Sequence, residues 1–434
     1  MKRRDFIKQA GLATAGTFLV PYLLPSGRLF AATGNRKANH VVFCLFAGGV
    51  RNIETIQMND GNLMPYTLAG SKAISADILP GMTFKPPAPT GQPLQTLGTL
   101  FSEFRYALGP TGHYNGHTAA ITGVYTHTNL SLKDHPPVPT VFEYYRKHSS
   151  PAKAALNAWW VSNSLGPFPA LNYSIDPNYG PLYGANYIQP DSLIKHAYNV
   201  LYKPQVFSAG QKTSANEIRQ FLDNNFSNQN TSTNAGVSNP LTDADNIESF
   251  ILKSIAEAGT GAYKDPWGVG SLSVDMFNIF FAEKIIQQYT PELLVVNMQD
   301  VDIAHYNFTN YCDNMRRADY SLSHLWNFIQ STPGMANDTI LIAAPEHGRN
   351  LTSNSFVDNY GRHALDHTGD DMSREIFCLV IGPPSVVKQN QVITAVEGQS
   401  IDIVPTIANI LGFDTDIPGN YKSNMGQLLS PAFY

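Results

Sequence analysis

A basic surplus, a cysteine framework and long apolar runs are all missing from this chain, and each absence removes a class of function. The 434 residues carry 29 Lys+Arg against 34 Asp+Glu, a formal net charge of -5. Binding to a nucleic-acid duplex needs a dense Lys/Arg face, so no nucleic-acid partner is expected. Cysteine is scarce: only Cys44, Cys312 and Cys378 occur, and the first and last lie inside apolar, strand-like runs. They read as buried thiols and not as a disulfide framework. No apolar stretch reaches the roughly 20 residues that span a bilayer, which argues against a polytopic membrane protein. No internal repeat is visible. What is present is a 43% hydrophobic and 11% aromatic composition with 15% charged residues. That is enough apolar material for a sizeable core and too much for a disordered chain.

The first 32 residues stand apart. Lys2, Arg3 and Arg4 precede Asp5-Phe6-Ile7-Lys8, a moderately apolar stretch runs from Ala10 to Leu24, and small residues Ala31-Ala32 follow. Arg-Arg-x-Phe-Ile-Lys resembles a twin-arginine export signal. The resemblance implies export of an already folded protein, often with a metal or cofactor inside, to the periplasm or cell envelope. It also brings in envelope proteins as a class of partner.

The remaining chain, 33–434, reads as one α/β domain. Four β-branched, apolar runs predict buried strands of a parallel sheet: Val41 to Phe46, Leu293 to Met298, Thr339 to Ala344 and Ile376 to Ile381. Helical spacings of three and four lie among them, in Met276–Ile285, Met315–Ile329 and Ile403–Leu411, the last closed by Gly412. Such alternation predicts a doubly wound, mostly parallel sheet sandwiched by helices. The segment from about 149 to 266 is rich in Tyr, Asn, Pro and Ser and is expected to form an irregular cap insertion. Within it, Leu222 to Asn246 reads as an exposed linker.

Open parallel sheets bind ligands beyond the carboxyl ends of their strands. Polar residues directly after each strand are therefore the candidates. Asp300-Val301-Asp302-Ile303-Ala304-His305 follows the second run, and Glu346-His347-Gly348-Arg349 follows the third. His363-Ala364-Leu365-Asp366-His367 precedes the fourth. Carboxylates and imidazoles converging on one edge suit a divalent metal, Zn, Mn or Mg, as one or two ions. Taken singly, each residue has a plainer reading: an Asp after a strand often caps a helix, and a loop His is often solvated.

The order Asp-x-x-His, acid-His-Gly and a later His resembles the alkaline phosphatase superfamily, which includes sulfatases. Asp402 to Gly412 is similar to its Asp-x-x-Pro-Thr segment, and His117-Thr118-Ala119-Ala120-Ile121-Thr122-Gly123-Val124-Tyr125 is similar to the helix after its nucleophile. The resemblance covers about 40–150 and 290–415, and points most closely to a twin-arginine-exported, sulfatase-like side branch. It implies two cations flanking an anionic phosphate or sulfate ester, such as one of a saccharide or lipid. Asp302, His305 and His367 would hold one ion, and Glu346 and His347 the other. Arg349 or Arg374 would add charge near the substrate.

The chain departs from the family pattern in three places. No Asp follows the first strand, where Phe46-Ala47-Gly48-Gly49-Val50-Arg51 stands. The nucleophile position falls near His113, with no Ser or Cys there and with Thr111 and Thr118 out of register. The Asp-to-His spacing is three and not four, leaving Asp300 as a competing ligand. His113, Thr118 and Arg349 are accordingly the catalytic candidates. Two functions follow: an exported metal-dependent hydrolase of phosphate or sulfate esters, or a catalytically degenerate relative serving as an envelope scaffold or binding protein. Trp159, Trp160, Tyr173, Tyr179, Tyr183 and Tyr187 offer either a sugar platform or the packing of a cap.

Overall fold

The computed structural model describes residues 35–127, 134–149, 152–162, 170–195 and 237–434. The expected export signal and most of the expected linker at Leu222–Asn246 lie outside these residues. In chain order the strands are β1 (His40–Phe46), β2 (Gly98–Arg105), β3 (Ala158–Val161), β4 (Asn186–Ile188), β5 (Leu293–Met298), β6 (Thr339–Pro345), β7 (Glu375–Ile381) and β8 (Gln391–Ile393). The longer helices are α1 (His113–Thr122), α2 (Val141–His148), α3 (Leu241–Gly259), α4 (Val274–Tyr289), α5 (Phe308–Ser331) and α6 (Ile403–Ile410).

All eight strands join one sheet in the order β4-β3-β5-β1-β6-β7-β2-β8. Every neighbouring pair is parallel except β6–β7 and β2–β7, so β7 alone runs backwards. The four apolar runs read from the sequence are β1, β5, β6 and β7. Successive residues of a strand face opposite sides, and here both sides are buried. Val42, Cys44, Phe46, Val296 and Leu341 pack under α3, α4 and α5, whereas Val41, Phe43, Leu45, Val295 and Ile342 pack under α1, α2 and α6. Two cores on one sheet explain why these strands read as continuous apolar runs instead of alternating ones.

The helix ends follow local chemistry. The Asn307 side chain accepts the Asn310 amide at 2.8 Å to start α5, and Thr140 with Glu143 forms a capping box at α2. The helix α5 buries Met315, Ala318, Leu322, Leu325, Trp326 and Ile329, the face its spacing predicts. Cys44, Cys312 and Cys378 are free, buried thiols. Among the described residues no helix is long and apolar enough to cross a membrane.

Within the segment expected as a cap, the described residues supply two strands of the sheet. β3 and β4 form its outer edge beside β5. Trp159 and Trp160 alternate into the two cores at 0% exposure, and Tyr187 is buried beside them. They cannot line a sugar platform, because their rings are the packing of two short strands.

Candidate metal centre

The carboxyl ends of β1, β5 and β6 lie side by side at one rim of the sheet, and the candidate residues follow them. After β5 the chain turns into a short 3-10 helix, Asp300–His305. A 3-10 helix has three residues per turn, so positions three apart eclipse one another. The three-residue spacing that departs from the family pattern therefore sets Asp302 and His305 on one face, with Asp302 Oδ1 3.3 Å from His305 Nε2. Asp300 looks elsewhere: its carboxylate accepts the Asp275 amide at 3.0 Å, at the start of α4.

His113 opens α1 and comes to the same place, because β2 runs parallel to β1 and delivers the chain to the same rim. Its Nδ1 lies 2.7 Å from Glu346 Oε1 and its Nε2 3.4 Å from Asp302 Oδ1. His367 arrives on the loop between β6 and β7, where its Nδ1 meets the Thr111 carbonyl at 2.5 Å. The Thr111 hydroxyl in turn donates to the His367 carbonyl. His113, Asp302, His305 and His367 each offer one ligand atom, all within 4.8 Å of one another. His113, Glu346 and His347 form a second such group.

Glu346 is fully buried; its Oε1 accepts the Gly48 amide, and its Oε2 lies beside His117 Nδ1. His347, also fully buried, has its Nδ1 2.8 Å from the Gly348 carbonyl, leaving Nε2 without a partner and 3.4 Å from Glu346 Oε1. An orphaned, buried imidazole lone pair is costly unless something binds it. These donors fit a divalent cation.

Arg349 sits differently from the role the resemblance implies. It is fully buried, and its guanidinium reaches Gly48 O, Gly49 O at 3.2 Å, Leu365 O at 2.8 Å and Asp302 Oδ1 at 2.7 Å. Arg374 meets the Gly109 carbonyl at 3.0 Å. Thr118 is buried within α1, and His363 meets the Asn354 carbonyl at 3.1 Å; neither belongs to a ligand group.

The Gly48-Gly49 turn is what lets these pieces close. Both residues have positive φ, +101° and +80°. A Cβ on Gly49 would stand 2.6 Å from His347 Nδ1 and 2.7 Å from the Gly348 carbonyl. Gly49→Ala is therefore expected to cost about 1–3 kcal/mol for the conformation alone, plus displacement of His347. Gly334 (φ +87°) has nothing within 4 Å of a Cβ, so Gly334→Ala should carry only the conformational part. Urea denaturation of both variants measures the difference, and equal losses would mean the turn is not wedged.

Electrostatics separates the imidazoles. Burial lowers His347 to about 4, and burial with the neighbouring His347, His113 and Arg349 charges lowers His367 to about 2. Burial would also lower His113, but the Glu346 and Asp302 carboxylates outweigh it and raise it to about 10. Burial would raise Asp302 and Glu346, yet His113 with His305 holds the first down and His117 with His113 the second. In metal-stripped protein the unfolded His347 and His367 take up protons near 6.5 that the folded state refuses. Their contribution is complete above 6.5 and turns destabilising as pH falls toward about 4 and below. His113 acts oppositely, stabilising below 6.5 and losing that effect as pH rises through about 10. Chelator-treated protein should thus be most stable near neutrality by urea denaturation, with a shallower acid limb in His367→Gln. An unchanged acid limb would remove His367 from this account.

Sequence reasoning missed three holders: Thr111 at His367, Asp366, whose Oδ1 lies 2.7 Å from His305 Nδ1, and His117 at Glu346. Only adjacency to ligand candidates marked the first two.

No family model matches the chain, and no curated protein matches it. Solved structures similar to it include a mutant of the alkaline phosphatase PafA, at 11% identity and a TM-score of 0.48, covering 92% of this chain and 100% of that one. A protein of the alkaline phosphatase superfamily from Vibrio parahaemolyticus shows 12% identity and a TM-score of 0.43 over 89% of this chain and 72% of that one. The phosphonate monoester hydrolase SpPMH from Silicibacter pomeroyi shows 15% identity and 0.41 over 90% and 76%. At these identities the likeness is one of fold alone.

Proposed function

We propose that the protein is an exported, metal-dependent hydrolase of phosphate or sulfate esters, working at the rim beyond β1, β5 and β6. The observation that carries the reading is the group His113, Asp302, His305 and His367, whose ligand atoms all lie within 4.8 Å of one another. Asp302, Glu346 and Asp366 crowd this rim, and a pocket so rich in carboxylates repels an anionic ester unless a cation resides in it. A bound divalent ion would supply Lewis-acid polarisation of the ester oxygen. His113, 16% exposed at the side chain, lies in contact with both Asp302 and Glu346. Arg349 fixes the orientation of Asp302 from below. Tyr306 and Phe356, exposed with rings 5.2 Å apart, stand beside His305 and offer an apolar surface to the alcohol part of the ester, a saccharide or lipid. Export rests on the Arg3-Arg4-x-Phe6-Ile7-Lys8 run.

The absence of a carboxylate in residues 46–51 and of an in-register hydroxyl near His113 favours a second reading, a cation-binding envelope component without turnover. Metal analysis of purified protein, with turnover of aryl phosphate and aryl sulfate, separates the two. Bound metal with hydrolysis abolished in His367→Ala supports the enzyme. Bound metal without hydrolysis of either ester supports the binding protein. Absence of metal removes both.

A further inference from the structure

Single apolar side chains at a surface need no explanation, but adjoining ones beside a polar cleft mark a contact face. Among the described residues, Tyr306 and Phe356 form the one pair of neighbouring aromatic rings in which both partners are exposed, at 62% and 52%. Their centroids lie 5.2 Å apart at an interplanar angle of 73°, so the two rings make a corner. Tyr306 directly follows His305, and its ring stands 6.1 Å from that imidazole, which in turn is 4.8 Å from the His367 ring. The corner therefore borders the rim where the acid and imidazole groups converge.

Both rings are firmly mounted. Phe356 rides on a hairpin, in which the Asn354 amide donates to the Ala364 carbonyl at 2.9 Å and the Ala364 amide to the Phe356 carbonyl at 2.8 Å. Val357 bridges His363 further out, and the Asp358 amide donates to the Arg362 carbonyl at 2.9 Å. Asp358 fastens this hairpin to the start of α5, accepting the Thr309 amide at 2.9 Å and the Thr309 hydroxyl at 2.7 Å. Asn354 fastens it to the rim: its Nδ2 donates to the His305 carbonyl at 3.0 Å and to Asp366 Oδ1 at 3.1 Å, and its Oδ1 accepts the Phe356 amide at 2.9 Å. The Tyr306 amide donates to the Ile303 carbonyl at 2.9 Å. Rings set in place before a ligand arrives lose little freedom when it covers them, which favours binding.

The polar groups around the corner decide what it can hold. A saccharide pressed against the rings would lose water from its hydroxyls and need hydrogen-bonding partners in exchange. Asn354 has its amide group fully engaged, and Asp358 accepts the Tyr360 and Arg362 amides at 2.9 and 3.0 Å besides Thr309. Arg362 is paired with Asp60 at 2.6 Å and Asp77 at 2.9 Å. A hydrocarbon needs no such partners and gains by covering both rings. We propose that the Tyr306–Phe356 corner is the subsite for the alcohol part of the ester, and that this alcohol is a hydrocarbon and not a saccharide. The inference rests on the hydrolase reading above for the anionic end of the ester and adds the chemical class of the other end.

The test has a binding arm and a turnover arm, both on full-length protein supplied with Zn²⁺ or Mn²⁺. Calorimetry compares methyl, butyl and octyl phosphonates, and the matching sulfonates, whose bonds to carbon are not hydrolysed. The octyl ligand should bind roughly 100-fold more tightly than the methyl one, about 2-fold for each methylene, because an open corner covers only part of each group. Replacing both rings, Tyr306→Ala with Phe356→Ala, should bring that ratio below about 5-fold. Val396→Ser removes another exposed apolar side chain, 66% exposed and just past β8 at the far edge of the sheet, and should leave the ratio unchanged. In turnover, kcat/KM for octyl phosphate or octyl sulfate should exceed that for the glucose 6-ester of the same acid by roughly 10-fold or more. A wild-type ratio below about 5-fold, no binding of the octyl ligands, a ratio that survives loss of both rings, a ratio equally lost in Val396→Ser, or preference for the glucose ester would each overturn the proposal. The wild-type ratio decides the matter even where a variant fails to fold. Octyl selectivity in a protein inert toward every ester would sink the hydrolase reading alone; hydrolysis indifferent to chain length would sink this inference alone.

Discussion

Replacing Asp302 by alanine is expected to abolish cation binding and to lower ester turnover by roughly 10³-fold or more, about 4 kcal/mol of transition-state stabilisation. Asp302 Oδ1 is the common neighbour of His113 Nε2, His305 Nε2 and the Arg349 guanidinium, at 3.4, 3.3 and 2.7 Å. Removing it would take away the negatively charged group and leave a guanidinium facing the imidazoles, so the pocket would repel a cation. Asp300→Asn is the matched control. Asp300 lies two positions away, but its carboxylate faces the Asp275 amide and the start of α4. Metal content and turnover in that variant should match the wild type. If Asp302→Ala keeps its metal, or Asp300→Asn loses it, the ligand assignment along Asp300–His305 is wrong.

Arg349→Gln is expected to lower the free energy of unfolding by about 3–5 kcal/mol, by the loss of one side of a buried charge pair. Three backbone carbonyls, Gly48 O, Gly49 O and Leu365 O, lose their donor at the same time, in a place with no solvent access to replace it. Arg349→Lys should recover only part of this, because an ammonium cannot reproduce the planar fork that spans the carbonyls and Asp302. Urea denaturation of metal-stripped protein isolates the effect from any ligand. A loss under 1 kcal/mol in Arg349→Gln would mean that the guanidinium is not the clasp joining the β1 turn to the β6–β7 loop.

The parts of the fold legible in the sequence were those buried on both faces. β1, β5, β6 and β7 lie inside the sheet, so nearly every position is apolar and no periodicity is needed to find them. β3 and β4 escaped because they are short strands of four and three residues, and tryptophans side by side look like a recognition surface until the pleat sends them to opposite cores. In the metal centre, Asp302 and His305 were legible since they follow a strand directly, and the 3-10 turn explains a spacing that looked anomalous. What His113 does was not legible. Its role depends on Glu346, 233 residues away, and only the packed sheet reveals which of its nitrogens is occupied. The same holds for Thr111, whose carbonyl and hydroxyl both grip His367 across 256 residues.

The single reversed strand has a consequence for how such a protein can diversify. Because β7 runs against β6, the chain leaves the sheet after Pro345 and re-enters it at Glu375 on the same side. Residues 346–374 therefore form a cassette with both ends at the business edge, and no part of it has to traverse a face of the sheet. That cassette can lengthen, shorten or change its outer residues between Asn350 and His363 while the strands beneath keep their register. New contacts to a bound ligand could be tried there at little risk to the framework.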